Sequence, residues 1–223
     1  MKRKLILNAA LKYALGVALV GACLFLPAGT LAYWNAWLLM CVLFLPMLAM
    51  GIVLAAKQPQ LLEKRLNTKE PQKEQKAVTA LGAAVFVLGF AAAGLGRRFG
   101  WNALPGWVSW LGAAMFLAAY GLYAEVMREN AYLSRTVEIQ QGQKVIDTGL
   151  YGAVRHPMYA ASILMFLAMP LTLGSLPSLV VFMAYPVVIA RRISAEEAFL
   201  EKELEGYAEY KTRVRYKVIP FLW

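Results

Sequence analysis

Long apolar runs constrain this chain more than any other feature of its sequence. Leu5–Leu26, Leu31–Ala56, Ala77–Gly96 and Leu104–Val126 each reach the length of about 20 residues that crosses a hydrocarbon core at 1.5 Å rise per residue. Two shorter runs follow, Met158–Leu173 and Leu176–Ala190, with Gly174-Ser175 and Pro177 between them. That punctuation predicts a tight helical hairpin. The chain therefore reads as an all-α, polytopic helical membrane protein with about six transmembrane segments, the last two a short hairpin. Charged residues make up only 16% of it, and 60% is hydrophobic, where a soluble domain carries about 25% and 45–50%.

The net charge of +10 does not point to nucleic acid, because the charge is placed by topology. With six segments, 21 of the 23 Lys and Arg residues fall on one side, and only Arg97 and Arg98 fall on the other. The positive-inside bias puts that side, and both termini, in the cytoplasm, which in a bacterium means an inner-membrane protein. All 13 acidic residues lie on the same side or at its edge. Trp34, Trp37, Trp101, Trp107 and Trp110 cluster near the opposite ends, as an interfacial aromatic belt does. The basic start Lys2-Arg3-Lys4 before an apolar run has the form of a secretory signal, but the charge parity is kept only if this helix stays. Cys23 and Cys41 lie inside apolar segments without metal spacing and read as inert thiols.

The chain reads as one membrane domain, residues 1–223. Residues 1–127 hold four helices, and residues 128–223 hold a polar loop, the hairpin and a tail. In the loop, 136–140 alternates in polarity, so a small extended element is expected, with a turn at Gln141-Gly142. In the tail, Ser194-Ala-Glu-Glu has the form of a capping box with Ser194 as N-cap. Leu200, Leu204 and Tyr207 then repeat as an apolar stripe, which predicts an amphipathic C-terminal helix ended by Pro220. In the fourth segment pair, Gly94-Leu-Gly96 reads as a close helix contact.

Chemistry-bearing residues gather in these last polar segments. In Arg155-His156-Pro157-Met158-Tyr159, proline suits a first helical turn and pushes His156 out of helical geometry. The exposed N–H groups of such a helix start suit an anion. An ordinary helix start, with Glu196 and Glu197 serving the dipole of the next helix and Arg213 and Arg215 at its end, accounts for each piece separately.

Taken in order, the pieces resemble the isoprenylcysteine carboxyl methyltransferase family, with its phospholipid N-methyltransferase relatives. The resemblance rests on Gly149-Leu-Tyr-Gly-Ala-Val, Arg155-His-Pro-Met-Tyr159, the apolar hairpin, Glu196-Glu197, Tyr207, Tyr210-Lys-Thr-Arg213 and Pro220. It implies S-adenosylmethionine as cofactor, held between the hairpin and the tail. His156, Pro157 and Tyr151 of the loop would contact it, with Tyr159 and Tyr207 nearby. Glu197, beside Glu196, would bind its amino group or order the pocket, and Arg213 would face the reacting end of the substrate. The partners implied are membrane lipids and a lipophilic or small methyl acceptor. Two other readings remain open at this point. One is an NADPH-dependent reductase of the sterol type, with Arg191-Arg192 toward a 2′-phosphate; the other is a non-enzymatic membrane scaffold or lipid-binding protein.

Overall fold

The computed structural model describes residues 2–66, 73–101, 104–134 and 139–223. Its elements are α1 (Lys2–Ala28), α2 (Trp34–Lys57), α3 (Pro59–Leu66), α4 (Lys73–Phe99), α5 (Gly106–Glu129), α6 (Leu150–Ala153), α7 (Pro157–Thr172), α8 (Leu176–Phe182), α9 (Tyr185–Glu203) and α10 (Tyr207–Arg213). No β-strand forms among the described residues. The extended element expected over 136–140 lies mostly outside them. The turn expected at Gln141-Gly142 is present, with Gly142 at φ 70° and Gln143 N donating to Gln140 O at 3.0 Å, the closing bond of a tight turn.

Long helices alternate in direction, and their short connections meet at one end. There Leu104 N donates to Gly174 O at 2.9 Å, and the Tyr33 hydroxyl donates to Leu173 O at 2.9 Å. Asn35 Nδ2 donates to Ser109 Oγ at 2.8 Å. We call this the hairpin end. The opposite end, the loop end, carries α3, the 130–156 loop, the last turns of α9, and α10. Exposed Trp34, Trp37, Trp101, Trp107 and Trp110 all lie toward the hairpin end, as the belt pattern predicts.

Among the described residues, five helical stretches are long and apolar enough to cross a membrane: α1, α2, α4, α5, and α8 with α9 taken together. α7 is apolar but has only 16 residues, about 24 Å of helix against a core of about 30 Å. Its partner in the hairpin is longer than the sequence suggests. The chain breaks helical hydrogen bonding at Met183-Ala184, ahead of Pro186, which has no N–H to give. It then runs on without interruption to Glu203.

This continuation corrects the reading of the tail. Ser194 is not an N-cap; it lies inside α9, and its hydroxyl donates to Ala190 O at 3.1 Å. No glycine or proline stands between Ala190 and Ser194 to end the helix, and a serine within a helix satisfies itself on the carbonyl four residues back. The break falls instead at Gly206, whose φ of 82° a side chain would disfavour. The stripe residues still bury together: Leu204, Tyr207, Tyr210 and Val214 form one cluster, with Leu200 packed against it.

Glycine sets the closest helix contacts. A Cβ at Gly94 would lie 2.6 Å from Leu24 O, so α4 meets α1 backbone to backbone. A Cβ at Gly112 would lie 2.4 Å from Thr172 N, so α5 meets α7 in the same way. These contacts fix α7 in the bundle, and with it the residues at its N-terminus.

Candidate active site at the loop end

His156 is the N-cap of α7 and Pro157 its first residue. The His156 carbonyl accepts from Tyr159 N at 3.0 Å and Ala160 N at 3.2 Å, so the proline starts the helix as expected. The arginine and histidine are buried. Arg155 and His156 are each 6% exposed, and Glu197, delivered by α9, is 4% exposed. Arg155 Nε donates to Glu197 Oε1 at 2.7 Å, and His156 Nε2 lies 3.1 Å from the same oxygen. Lys217 Nζ approaches the other carboxylate oxygen at 3.5 Å.

The C-terminal strap closes over this cluster. One Arg155 terminal nitrogen donates to Val214 O at 2.7 Å and Arg215 O at 2.8 Å. The backbone N–H groups of Arg155 and His156 donate to Tyr216 O and Lys217 O at 2.9 and 2.8 Å. A planar guanidinium reaching a carboxylate and two carbonyls at once is a geometry that an ammonium cannot copy. Glu197 thus joins three parts of the chain: the entry to α7, the body of α9, and the strap after α10.

In front of this cluster lies a polar cavity of about 860 Å³, counted to its open mouth. Its walls include Asn130, Tyr132, Gln143, Tyr151, Arg155, His156, Tyr159, Arg192, Glu196, Tyr207 and Tyr210. Tyr159, 4% exposed, donates its hydroxyl to Glu196 Oε2 and accepts from Arg192 Nε at 2.8 Å. Tyr210 donates to Tyr151 O at 2.7 Å, and Asn130 Nδ2 donates to the Tyr151 hydroxyl at 2.9 Å. Burial pushes the Tyr151 phenol up to about 12. Burial also raises Tyr207, helped by the carboxylates of Glu197 and Glu196, so both phenols stay protonated.

Tyr207 carries an unmet demand in this wall. It is 4% exposed, and its hydroxyl has no hydrogen-bond partner among the described residues. A buried hydroxyl without a partner costs about 1–3 kcal/mol, which a bound polar group would relieve.

The structure brings together most of the residues singled out in the sequence. His156, Tyr151, Tyr159, Glu196 and Tyr207 line the cavity. Pro157 and Glu197 lie behind the wall: the first starts α7, and the second holds Arg155 and His156. Arg213 is placed elsewhere, with its side chain 63% exposed and its guanidinium 2.8 Å from Asp147 Oδ2. Asn130, Tyr132 and Gln143 join the wall without having been singled out, and Arg192 joins it having been named only under the reductase reading. They come from the end of α5, the loop and α9, and no motif links them. No group of His, Cys, Asp and Glu able to hold a metal occurs among the described residues.

Residues 107–206 match the phospholipid methyltransferase family, 100 of the 223 residues and so less than half of the chain. The matched stretch runs from α5 through the loop, α7 and α9 to Gly206, so it contains most of the cavity wall. Helices α1 to α4 and the strap after Gly206 fall outside the match. The chain is also similar to the Delta(14)-sterol reductase TM7SF2 of Mus musculus, 31% identical over 91 residues. That likeness covers 40% of this chain and 22% of the reductase, so the chain spans about a fifth of that relative's length.

Proposed function

We propose that the protein transfers a methyl group from S-adenosylmethionine to a lipophilic acceptor at the loop end of the bundle, the end that the charge split assigns to the cytoplasm. The observation that carries this reading is the polar cavity with the orphaned Tyr207 hydroxyl, most of whose wall belongs to the segment 107–206 that matches a methyltransferase family, Tyr207 itself standing just after it. The donor set suits the cofactor. Glu196 offers negative charge to a cationic ligand, while Asn130, Gln143 and Tyr207 offer neutral hydrogen bonds to an amino acid or nucleoside part.

Bound there, the cofactor supplies an electrophilic methyl group on a sulfonium. The chain's own contribution is alignment and exclusion of water, which dominate an in-line displacement. Glu197 holds Arg155 and His156 in the wall, and the strap covers them from the C-terminal side. Tyr159, tied to Glu196 and Arg192, stands where the polar cavity meets the membrane part. Arg213, paired with Asp147 at the surface, has no part in this reading unless the 139–147 loop moves.

Tyr207→Phe tests the role of the orphaned hydroxyl. It is expected to leave the fold intact, since that hydroxyl has no partner to lose, and to weaken S-adenosylhomocysteine binding about tenfold in calorimetry, as loss of one hydrogen bond does. Unchanged affinity would remove Tyr207 from the site. A second reading, a nicotinamide-dependent reductase, draws support from the likeness to the sterol reductase. It requires binding of NADPH in place of S-adenosylhomocysteine.

A further inference from the structure

Glu129 and Asn130 end α5 and reach across to the short turn α6. The Asn130 N–H closes α5 on Val126 O at 3.0 Å, and its extended backbone, with φ −115° and ψ 97°, leads the chain away from the helix axis. The Glu129 carboxylate is left beside Gly149. Glu129 Oε2 accepts from Leu150 N at 2.9 Å. A Cβ at Gly149 would lie 1.7 Å from Glu129 Oε1, so the carboxylate fills the space that any side chain there would need. Gly149 also takes a φ of 53°, which a side chain disfavours. One glycine thus makes the turn and admits the carboxylate to it.

What this turn carries is Tyr151, 8% exposed and part of the cavity wall. Tyr210 of α10 holds its carbonyl by a 2.7 Å bond, so α6 is fixed from α10 on one side and from α5 on the other. Asn130 Nδ2 donates to the Tyr151 hydroxyl at 2.9 Å. Asn130 Oδ1 accepts from Tyr132 N at 2.9 Å, and that bond settles which end of the amide faces the phenol. The phenol therefore enters the contact as acceptor. A phenolic hydroxyl can also donate, and the Tyr151 O–H finds no acceptor among the described residues. Its proton is left for the cavity.

From this geometry we infer that Glu129 and Asn130 are positioning residues, which present the Tyr151 hydroxyl to the ligand of the polar cavity as a hydrogen-bond donor. Glu129 fixes the backbone of the turn through Leu150 N, and Asn130 fixes the rotor of the phenol. Both act through Tyr151. The ligand atom opposite is an acceptor, such as a carboxylate oxygen, a hydroxyl or a ring nitrogen. A donor aimed before binding saves the ordering that a free side chain would have to undergo. As a statement about S-adenosylmethionine this rests on the methyltransferase reading; the coupling of Glu129 and Asn130 to Tyr151 does not.

The test is a double-mutant cycle, read by calorimetry of the full-length protein in detergent with S-adenosylhomocysteine. Tyr151→Phe is expected to weaken binding about tenfold, the loss of one hydrogen bond. Glu129→Ala should weaken it by about the same factor. Glu129→Gln, whose amide oxygen still accepts from Leu150 N, should stay within about twofold of wild type. In the Tyr151→Phe background, Glu129→Ala should cost less than about twofold more, because the group it positions is already gone. Asn130→Ala enters the same cycle with the same expectation, and serves alone if Glu129→Ala does not fold. A merely structural role predicts independent losses that multiply to about a hundredfold. That result, or unchanged affinity in Tyr151→Phe or in Glu129→Ala, would overturn the inference. Wild-type protein that binds NADPH and not S-adenosylhomocysteine sinks the methyltransferase reading alone, and the cycle is then read with NADPH. Binding of neither sinks both.

Discussion

Glu197→Ala is expected to destabilise the protein by about 3–5 kcal/mol, the scale of leaving a buried charge without its partner. Arg155 would keep two carbonyl contacts but lose the carboxylate that offsets its charge, in a place where both side chains are about 5% exposed. Detergent-solubilised protein should show a lowered unfolding midpoint, together with easier proteolysis of the strap after Val214. Glu197→Gln is the informative companion. Its amide oxygen can still accept from Arg155, so it should fall between wild type and alanine, the remaining loss being the unbalanced charge. A helix-dipole role for Glu197 predicts less than about 1 kcal/mol for either change, and that result would refute the hub assigned to it.

Gly112→Val should be nearly as damaging, at about 3 kcal/mol, for an unrelated reason. The new side chain would meet the backbone of Thr172 and Leu171 at 2.4 and 2.8 Å, and backbone cannot rotate out of the way. α5 and α7 must separate, which also shifts the Pro157–Tyr159 turn that forms part of the cavity wall. Gly121→Val on the same helix meets nothing and should melt within a few tenths of a kcal/mol of wild type, the scale of a change in helix propensity. Equal melting temperatures for the two variants would show that α5 and α7 do not pack this closely.

Hydropathy alone made the membrane helices legible, because spanning a hydrocarbon core leaves a composition signal in nearly every residue. The hairpin was legible too, since Gly174 adopts a φ of 62° at the turn that its sequence marks. Ser194 misled, because the capping pattern is local and does not reveal that the helix has already begun nine residues earlier, at Tyr185. The site was legible as a set of residues but not as an arrangement. Arg155, His156 and Glu197 are separated by some forty residues, and only the return of α9 and the strap shows that they share one carboxylate. Arg213 was singled out through its neighbours in sequence, and its ion pair with Asp147 was not foreseen, because Asp147 belongs to a loop whose path no periodicity records.

Tyr159 borders both the polar cavity and a second, more apolar one lined by α4, α7 and α9, and the proposed reaction would join a water-soluble donor to a membrane-held acceptor at that junction. The sterol reductase likeness would use the same membrane setting for hydride transfer, so fold and location do not separate the two chemistries. The transferred group does. The most direct measurement incubates the purified protein, in nanodiscs made from total membrane lipid, with S-adenosylmethionine tritiated in its methyl group, and then counts the organic extract. The account predicts protein-dependent label in the organic phase, suppressed by excess S-adenosylhomocysteine. No label there, together with NADPH oxidation by the same preparation, would contradict it.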